Sequence, residues 1–226
     1  MFNEVTTYGI LLLYFFLFFL AVWASVRHRS GGLKDILTGK GEPGVLLNRL
    51  IAGIFFLGTG TIHIGVTSNL DTDIFLLLPL EKPVYAWWLL TVAALITGTV
   101  SACKKITPCT SLTPFLPSSF PLTFGLIRTL FLIVYEFFFR GMMLFVMMED
   151  FGTAAAIAIN IVFYVLIHWF NKTERYGSVL MGLILCGITI YYHSVWPVVC
   201  IHAALALGHE FTLFLRYKLF TKNYSI

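Results

Sequence analysis

Residues 131–148 have the sequence FLIVYEFFFRGMMLFVMM, an apolar run whose only charged members are Glu136 and Arg140. A helix of this length nearly crosses the hydrocarbon core of a bilayer, which is about 30 Å thick. Glu136 and Arg140 are four residues apart, so they share one face of that helix and can form an ion pair. Ionised groups inside a membrane are costly, and such residues are functional hypotheses by default. The stretch therefore predicts a membrane helix that carries a polar site.

The rest of the chain has the same apolar character. Of its 226 residues, 58% are hydrophobic and 12% are charged, whereas soluble domains have about 25% charged residues. Runs of about 20 apolar residues are long enough to span a membrane as helices. We therefore predict an all-α, polytopic transmembrane bundle of about seven spans, with an eighth possible, in a single membrane domain. The predicted spans are residues 8–26, 47–66, 84–103, 121–148, 152–169, 177–194 and 195–217.

The basic residues predict the orientation of the chain. Twelve of the 15 Lys and Arg residues lie outside the predicted spans or, as Arg216, at the very end of one, and cytoplasmic loops of membrane proteins are enriched in these residues. Only Lys82 falls on one side, so we predict an external N-terminus and a cytoplasmic C-terminus. Because the basic residues form short clusters between apolar runs, we expect a lipid bilayer around the protein and no nucleic-acid partner. The cytoplasmic set is Arg27, Arg29, Lys34, Lys40, Lys104, Lys105, Lys172, Arg175, Arg216, Lys218 and Lys222.

Three ionisable side chains of the C-terminal half have the chemistry of a catalytic site. Glu136 lies in the fourth predicted span, His168 in the fifth and His202 in the seventh. Histidines and carboxylates are the usual general acids and bases of enzymes. Their presence on neighbouring helices favours an active site over three separate packing residues.

Other intramembrane polar residues favour structural interpretations. Arg49 and His63 are fourteen residues apart and lie on nearly the same helix face, so we interpret them as a tie to the C-terminal helices. We interpret His209 and Glu210 as a helix cap or an ion pair. Arg128 and His193 are further ionisable residues within the predicted spans.

Three segments of the C-terminal half occur in a characteristic order. They are YEFFFR at residues 135–140, YVLIH at residues 164–168, and SVWP at residues 194–197 followed by His202. This order resembles the CPBP family of intramembrane proteases, which includes the type II CAAX prenyl endopeptidases. The family motifs are Glu-Glu-x-x-x-Arg, Phe-x-x-x-His, and His-x-x-x-Asn after a Ser-x-Trp-Pro turn. The resemblance implies that residues 121–217 are a catalytic core and residues 1–120 are supporting helices.

The resemblance also implies a function. It predicts an intramembrane endopeptidase that hydrolyses a peptide bond in a peptide or membrane-protein substrate, without a cofactor, in a bacterial inner (plasma) membrane. In the family, a carboxylate and a histidine activate water, and a second histidine stabilises the oxyanion. Carried over by position, the catalytic residues are Glu136, Arg140, His168 and His202. Glu136 would then be the base, His168 would orient the water, and His202 would donate to the oxyanion.

Two positions depart from the family motifs. Tyr135 stands where the family has its water-activating Glu, and Ala206 stands where it has Asn. A side chain next in sequence to Glu136 points about 100° away from it on a helix, so Tyr135 is not a simple substitute. These departures support an alternative hypothesis, in which the chain binds a peptide or another membrane protein, as an immunity or scaffold protein, without cutting it.

Further alternatives remain open. Glu136, His168, His202 and His209 have oxygen and nitrogen atoms suited to zinc, so a metal site is a second enzyme hypothesis, although the chain has no His-Glu-x-x-His motif. Intramembrane charges also occur in transporters, but these usually have repeated halves, and no internal repeat is visible.

The cysteines lack the short paired spacing of zinc or redox motifs, so we predict free thiols at Cys103, Cys109, Cys186 and Cys200.

The predicted span boundaries create one geometric difficulty. They place His168 near the inner end of its span and His202 near the outer end of the last span. A shared site requires direct or one-water contact, so the two side chains must lie within about 12 Å of each other. The shared-site hypothesis therefore requires a shifted or strongly tilted helix.

Overall fold

The computed structural model describes residues 4–27, 32–67, 73–76, 82–105, 116–170 and 172–223. All regular structure in this part of the chain is helical, so the predicted all-α class is confirmed. Arg29, Cys109 and the side chains of Lys104, Lys105, Lys172 and Lys222 lie outside the described residues. The helices are α1 (Glu4–Arg27), α2 (Leu33–Leu37), α3 (Pro43–Thr67), α4 (Asp73–Leu76), α5 (Val84–Lys105), α6 (Phe120–Glu136), a π-helical turn (Phe137–Met143), α7 (Leu144–Ile167), α8 (Lys172–Tyr192) and α9 (Trp196–Asn223).

Six helical segments of the described chain are long and apolar enough to cross a membrane. One of them, Phe120–Ile167, has 48 residues. As one straight helix it would measure about 72 Å, more than twice the thickness of a bilayer core. It breaks at Gly152, whose φ of 76° and ψ of 165° are not helical and suit glycine, which has no Cβ. The segment thus contains two of the predicted spans, residues 121–148 and 152–169.

Contacts at the two ends of α1 indicate that this long segment crosses the bundle twice. Near the N-terminal end of α1, the hydroxyl of Tyr8 donates a hydrogen bond to Asp150. Near the other end, the ring of Phe19 lies 5.8 Å from that of Phe170. Asp150 and Phe170 therefore lie at opposite ends of the bundle. With the long segment counted as two passes, the six candidate spans of the described residues make seven passes through the bundle. The start of α1 and the end of α9 therefore lie at opposite ends of the bundle.

The long segment occupies the centre of the bundle. In Phe120–Ile167, 72% of the most apolar window is buried, against 22% to 33% in the other candidate spans. Helix α3 packs against α6 and α1 where Gly53 leaves room for two rings. A Cβ at Gly53 would lie 2.5 Å from the Phe131 ring and 2.8 Å from the Phe18 ring. Side chains of the central segment therefore face protein more often than lipid.

Helix α9 begins inside the bundle. The N–H of Val195 donates to the carbonyl oxygen of Ile74 at 3.0 Å. Nε1 of Trp196 donates to the carbonyl oxygen of Phe75 at 2.8 Å, and the Trp196 ring lies 5.4 Å from that of Phe137. The first residue of α9 is therefore level with the π-helical turn, in the middle of the central segment.

Small residues allow α9 to pack closely on α5. A Cβ at Gly98 would overlap the carbonyl oxygen of Leu205, and one at Gly208 would lie 3.0 Å from the carbonyl oxygen of Leu95. In membranes, small residues at helix contacts let the backbones approach and gain van der Waals contact. This close contact fixes how deep α9 sits and which face it turns to the centre.

Candidate active site

The side chain of Glu136 links two other predicted site residues. Nδ1 of His202 lies 2.5 Å from Oε1 of Glu136. Nε of Arg140 lies 3.4 Å from Oε2 of the same carboxyl group, and neither Glu136 nor Arg140 is exposed. The guanidinium carbon of Arg140 also lies 4.1 Å from the centroid of the Tyr164 ring. The ion pair between Glu136 and Arg140 is thus formed, and its carboxylate also holds His202.

His168 and His202 both lie beside Tyr164. The ring of Tyr164 is 4.8 Å from that of His168 and 6.4 Å from that of His202. The two distances added together stay below the 12 Å limit for a shared site. The predicted spans had placed His168 and His202 at opposite depths. The two side chains meet because α9 begins level with the π-helical turn and not at the outer surface. His202 lies six residues further on, which is about 9 Å along the helix.

Both histidines face one cavity of about 1020 Å³. Tyr135 belongs to the same wall, whereas Glu136 and Arg140 do not line the cavity. Apolar and aromatic residues such as Phe18, Val22 and Phe131 form much of the remaining wall. The cavity therefore presents imidazole groups to a ligand, with Tyr135 packed into its wall and the carboxylate behind the wall.

The cavity reaches the surface at the end where α1 stops. Its lining there includes Lys34 and Lys40, which are exposed. The segment between α1 and α3 lies between the first two predicted spans, and it contains α2, which buries Leu33, Ile36 and Leu37. Apolar residues at the first, fourth and fifth positions of LKDIL are the sequence signal for this short helix.

The sequence of the central region has a known family pattern. Residues 117–208 match the family model of the Rce1-like type II CAAX prenyl endopeptidases. The predicted resemblance to the CPBP family is therefore confirmed for this part of the chain. No curated protein and no solved structure matches the chain. The matched residues of this Rce1-like region include Glu136, His168 and His202, which the fold brings to one place.

The two departures from the Rce1-like motifs have different surroundings. Tyr135 is 2% exposed, and its hydroxyl has no hydrogen-bond partner among the described residues. A buried hydroxyl without a partner costs about 1–3 kcal/mol. Ala206 is half-buried against the main core. It lies one turn after His202 and offers no polar side chain to the site.

The sequence interpretation missed Asn160. This residue is completely buried, and its amide Nδ2 donates to the carbonyl oxygen of Phe139 at 2.6 Å. The thiol of Cys186 donates to Oδ1 of Asn160 at 3.4 Å. Phe139 lies in the π-helical turn between Glu136 and Arg140, so Asn160 ties that turn to α7 and α8. An uncharged amide within a predicted span was the available sequence signal.

A second ion pair lies on the cavity itself. Nε of Arg128 is 3.0 Å from Oε1 of Glu210, and their side chains are 20% and 14% exposed. This confirms the expected ion pair at Glu210, with its partner on α6. His209 makes a contact of 3.3 Å between Nδ1 and the carbonyl oxygen of Gly98. Arg49 lines the cavity, whereas His63 lies 6.1 Å from the ring of Tyr14 on α1.

The metal hypothesis has little geometric support. Among the described residues, no group of three or more His, Cys, Asp and Glu side chains is placed to hold a metal ion. Glu136 and His202 bond to each other, and His209 contacts a backbone carbonyl. Cys103, Cys186 and Cys200 are free thiols, as predicted.

Proposed function

We propose that this protein is an intramembrane endopeptidase in which His202, held by Glu136, activates the attacking water. The hydrogen bond of 2.5 Å between these residues, at the wall of a cavity that His168 also lines, carries the proposal. A carboxylate that orients an imidazole and stabilises its protonated form is the arrangement used by Ser-His-Asp hydrolases. Glu136 is then a positioning residue, and His202 takes the role of base that the sequence alone assigned to Glu136.

The tautomer of His202 follows from this contact. Carboxylate oxygens accept hydrogen bonds, so Nδ1 of His202 carries the proton and Nε2 keeps its lone pair. Nε2 removes a proton from water while the water oxygen bonds to the carbonyl carbon of the peptide. The imidazolium then returns that proton to the amide nitrogen as the C–N bond breaks. Glu136 stabilises the imidazolium between these two transfers.

His168 has the same tautomer for a different reason. Its Nδ1 lies 2.9 Å from the carbonyl oxygen of Tyr164, which can only accept, so Nδ1 is the donor and Nε2 the acceptor. In the proposed mechanism, Nε2 of His168 accepts a hydrogen bond from the second hydrogen of the attacking water. Two acceptors then hold one water molecule, which orients its lone pair toward the substrate.

We also propose that the basic side of the bundle faces the cytoplasm. The positive-inside pattern of Lys and Arg supports this orientation. Lys34 and Lys40 lie at the surface end of the cavity on that side. A peptide or a membrane-protein substrate would then enter from the cytoplasmic side and place an apolar segment against the aromatic wall.

Substitution of the buried carboxylate tests the proposed function. Purified protein in proteoliposomes is incubated with a library of quenched fluorescent apolar peptides. We expect Glu136→Gln to lower kcat about 10²- to 10⁴-fold, since general acid–base catalysis contributes that much. The matched control is Glu149→Gln, the same change at an exposed residue, which should leave the rate unchanged. Equal rates for both variants and the native protein would contradict the mechanism.

A second candidate function is binding of a peptide or membrane protein without cleavage. Tyr135 and Ala206, which replace a Glu and an Asn of the family motifs, favour it. Among the described residues, the acidic side chains that line the cavity are those of Asp35 and Glu210, and Glu210 is paired with Arg128. A binding protein should capture photo-crosslinkable apolar peptides equally well with and without Glu136→Gln, and release no products from them.

A further inference from the structure

We infer that the hydroxyl of Tyr135 donates the hydrogen bond that stabilises the oxyanion of the tetrahedral intermediate. The inference rests on the proposed endopeptidase function and adds a residue that touches the reacting atoms. It gives a role to the position at which the chain departs from the first Glu of the family motif.

Neither histidine, in its neutral form, offers a hydrogen-bond donor to the oxyanion. Both donate through Nδ1, His202 to Glu136 and His168 to the backbone of Tyr164. Their Nε2 atoms are therefore acceptors in the neutral rings, and an oxyanion needs donors. The Asn amide of the family motif is replaced by Ala206. The proposed site thus needs another donor at its centre.

The cationic side chains of the cavity are poorly placed for this task. Lys34 and Lys40 are exposed at its surface end. Arg128 is engaged with Glu210. Arg49 lies in the second turn of α3, which begins at Pro43 on the same side of the bundle.

Tyr135 is a phenol packed into the wall of the cavity. Its ring lies 6.0 Å from that of His202 and 5.9 Å from that of Tyr164. The rings of Phe139, at 4.6 Å, and Phe131, at 5.4 Å, pack against it and restrict its movement. Its hydroxyl is buried and has no acceptor among the described residues, so a substrate oxygen that is pressed against this wall would supply the missing partner.

The step can be written in full. When the water oxygen attacks, the electron pair of the carbonyl π bond moves to the carbonyl oxygen, which becomes the oxyanion. The Tyr135 hydroxyl keeps its proton and shares it in a hydrogen bond. When the intermediate collapses, the pair returns to form the C=O bond, and the amide nitrogen leaves with the proton from His202.

Removal of one hydroxyl tests the inference. In the peptide-library assay, we expect Tyr135→Phe to lower kcat about 10²- to 10³-fold with little change in KM, as loss of one oxyanion donor does. Tyr85→Phe, at a residue that is 71% exposed, is the matched control. Ala206→Asn in the Tyr135→Phe background should recover part of kcat, because it supplies an amide donor one turn after His202. Unchanged kcat in Tyr135→Phe overturns the inference.

A binding measurement separates failure of this inference from failure of the proposed function. Phosphinic peptides carry an anionic tetrahedral centre and need no turnover. The native protein should bind them about 10²-fold more tightly than Tyr135→Phe does, since transition-state analogues report the loss of an oxyanion donor, while uncleaved parent peptides bind both equally. Equal phosphinate affinity overturns the role of Tyr135, even if Glu136→Gln abolishes cleavage. Cleavage that is indifferent to Glu136→Gln overturns the endopeptidase mechanism instead.

Discussion

Two Arg–Glu pairs lie within the described helices of this protein, and their surroundings differ. Arg140 and Glu136 are one turn apart on the central segment and are fully buried. Arg128 and Glu210 join α6 to α9 at the cavity, where both remain partly exposed. The first carboxylate also holds a histidine, whereas the second lines the cavity. The same pair of residue types therefore holds the His202 imidazole in one place and shapes a polar surface in the other.

Breaking the buried pair should have the largest effect on stability. Arg140→Met leaves the Glu136 carboxylate without its cation in a site closed to water. Loss of one partner of a buried pair costs about 3–5 kcal/mol. The unfolding free energy in detergent, measured by denaturant titration, should fall by this amount. Arg27→Met, at an exposed residue, is the control, and equal stability of the two variants would show that the buried pair is not a pair in solution.

Loss of the hydrogen bond between Asn160 and the π-helical turn should have the second-largest effect on stability. Asn160→Leu removes the donor to the Phe139 carbonyl and leaves the Cys186 thiol without its acceptor. We expect a loss of about 1–3 kcal/mol, the cost of unsatisfied buried polar groups. We also expect a lower kcat, because the turn positions Glu136. Asn48→Leu changes an exposed residue of α3 in the same way. Native kcat in Asn160→Leu would show that the turn keeps its shape without the amide.

Breaking the ion pair between Arg128 and Glu210 should have only a small effect on stability. Glu210→Gln removes an ion pair that water and salt screen in part, and we expect a loss of at most about 1 kcal/mol. The loss should shrink as the salt concentration rises. Thermal unfolding at two ionic strengths checks this, with Glu149→Gln as the control. A loss as large as that of Arg140→Met would remove the distinction between the two pairs.

Removal of metal ions should have no effect on cleavage. The buried carboxylate is expected to act through its hydrogen bond to His202 and not as a metal ligand. Peptide cleavage in proteoliposomes should therefore be the same with and without a chelator. Activity that disappears in the chelator and returns with zinc would support the alternative zinc site of Glu136, His168 and His202.

The sequence predicted the local features correctly because they depend on neighbours along the chain. Apolar length sets where a helix can cross a membrane, and spacing by four puts Glu136 and Arg140 on one face. The motif order identified the Rce1-like region. The joined fourth and fifth spans, α2, and the role of Asn160 were not predicted. Each depends on a contact between residues far apart, such as Tyr8 with Asp150 or Asn160 with Phe139.

By itself, the sequence determined that this protein is an all-α membrane bundle whose C-terminal helices carry two histidines and a carboxylate. Only the tertiary structure decided that the carboxylate lies behind the cavity wall and that Tyr135 lies on it. It also brought His202 to the level of Glu136, because α9 is anchored at Trp196 and packed on α5 through Gly98 and Gly208. Hydropathy follows from composition, but the depth and rotation of a helix are set by the side chains it meets.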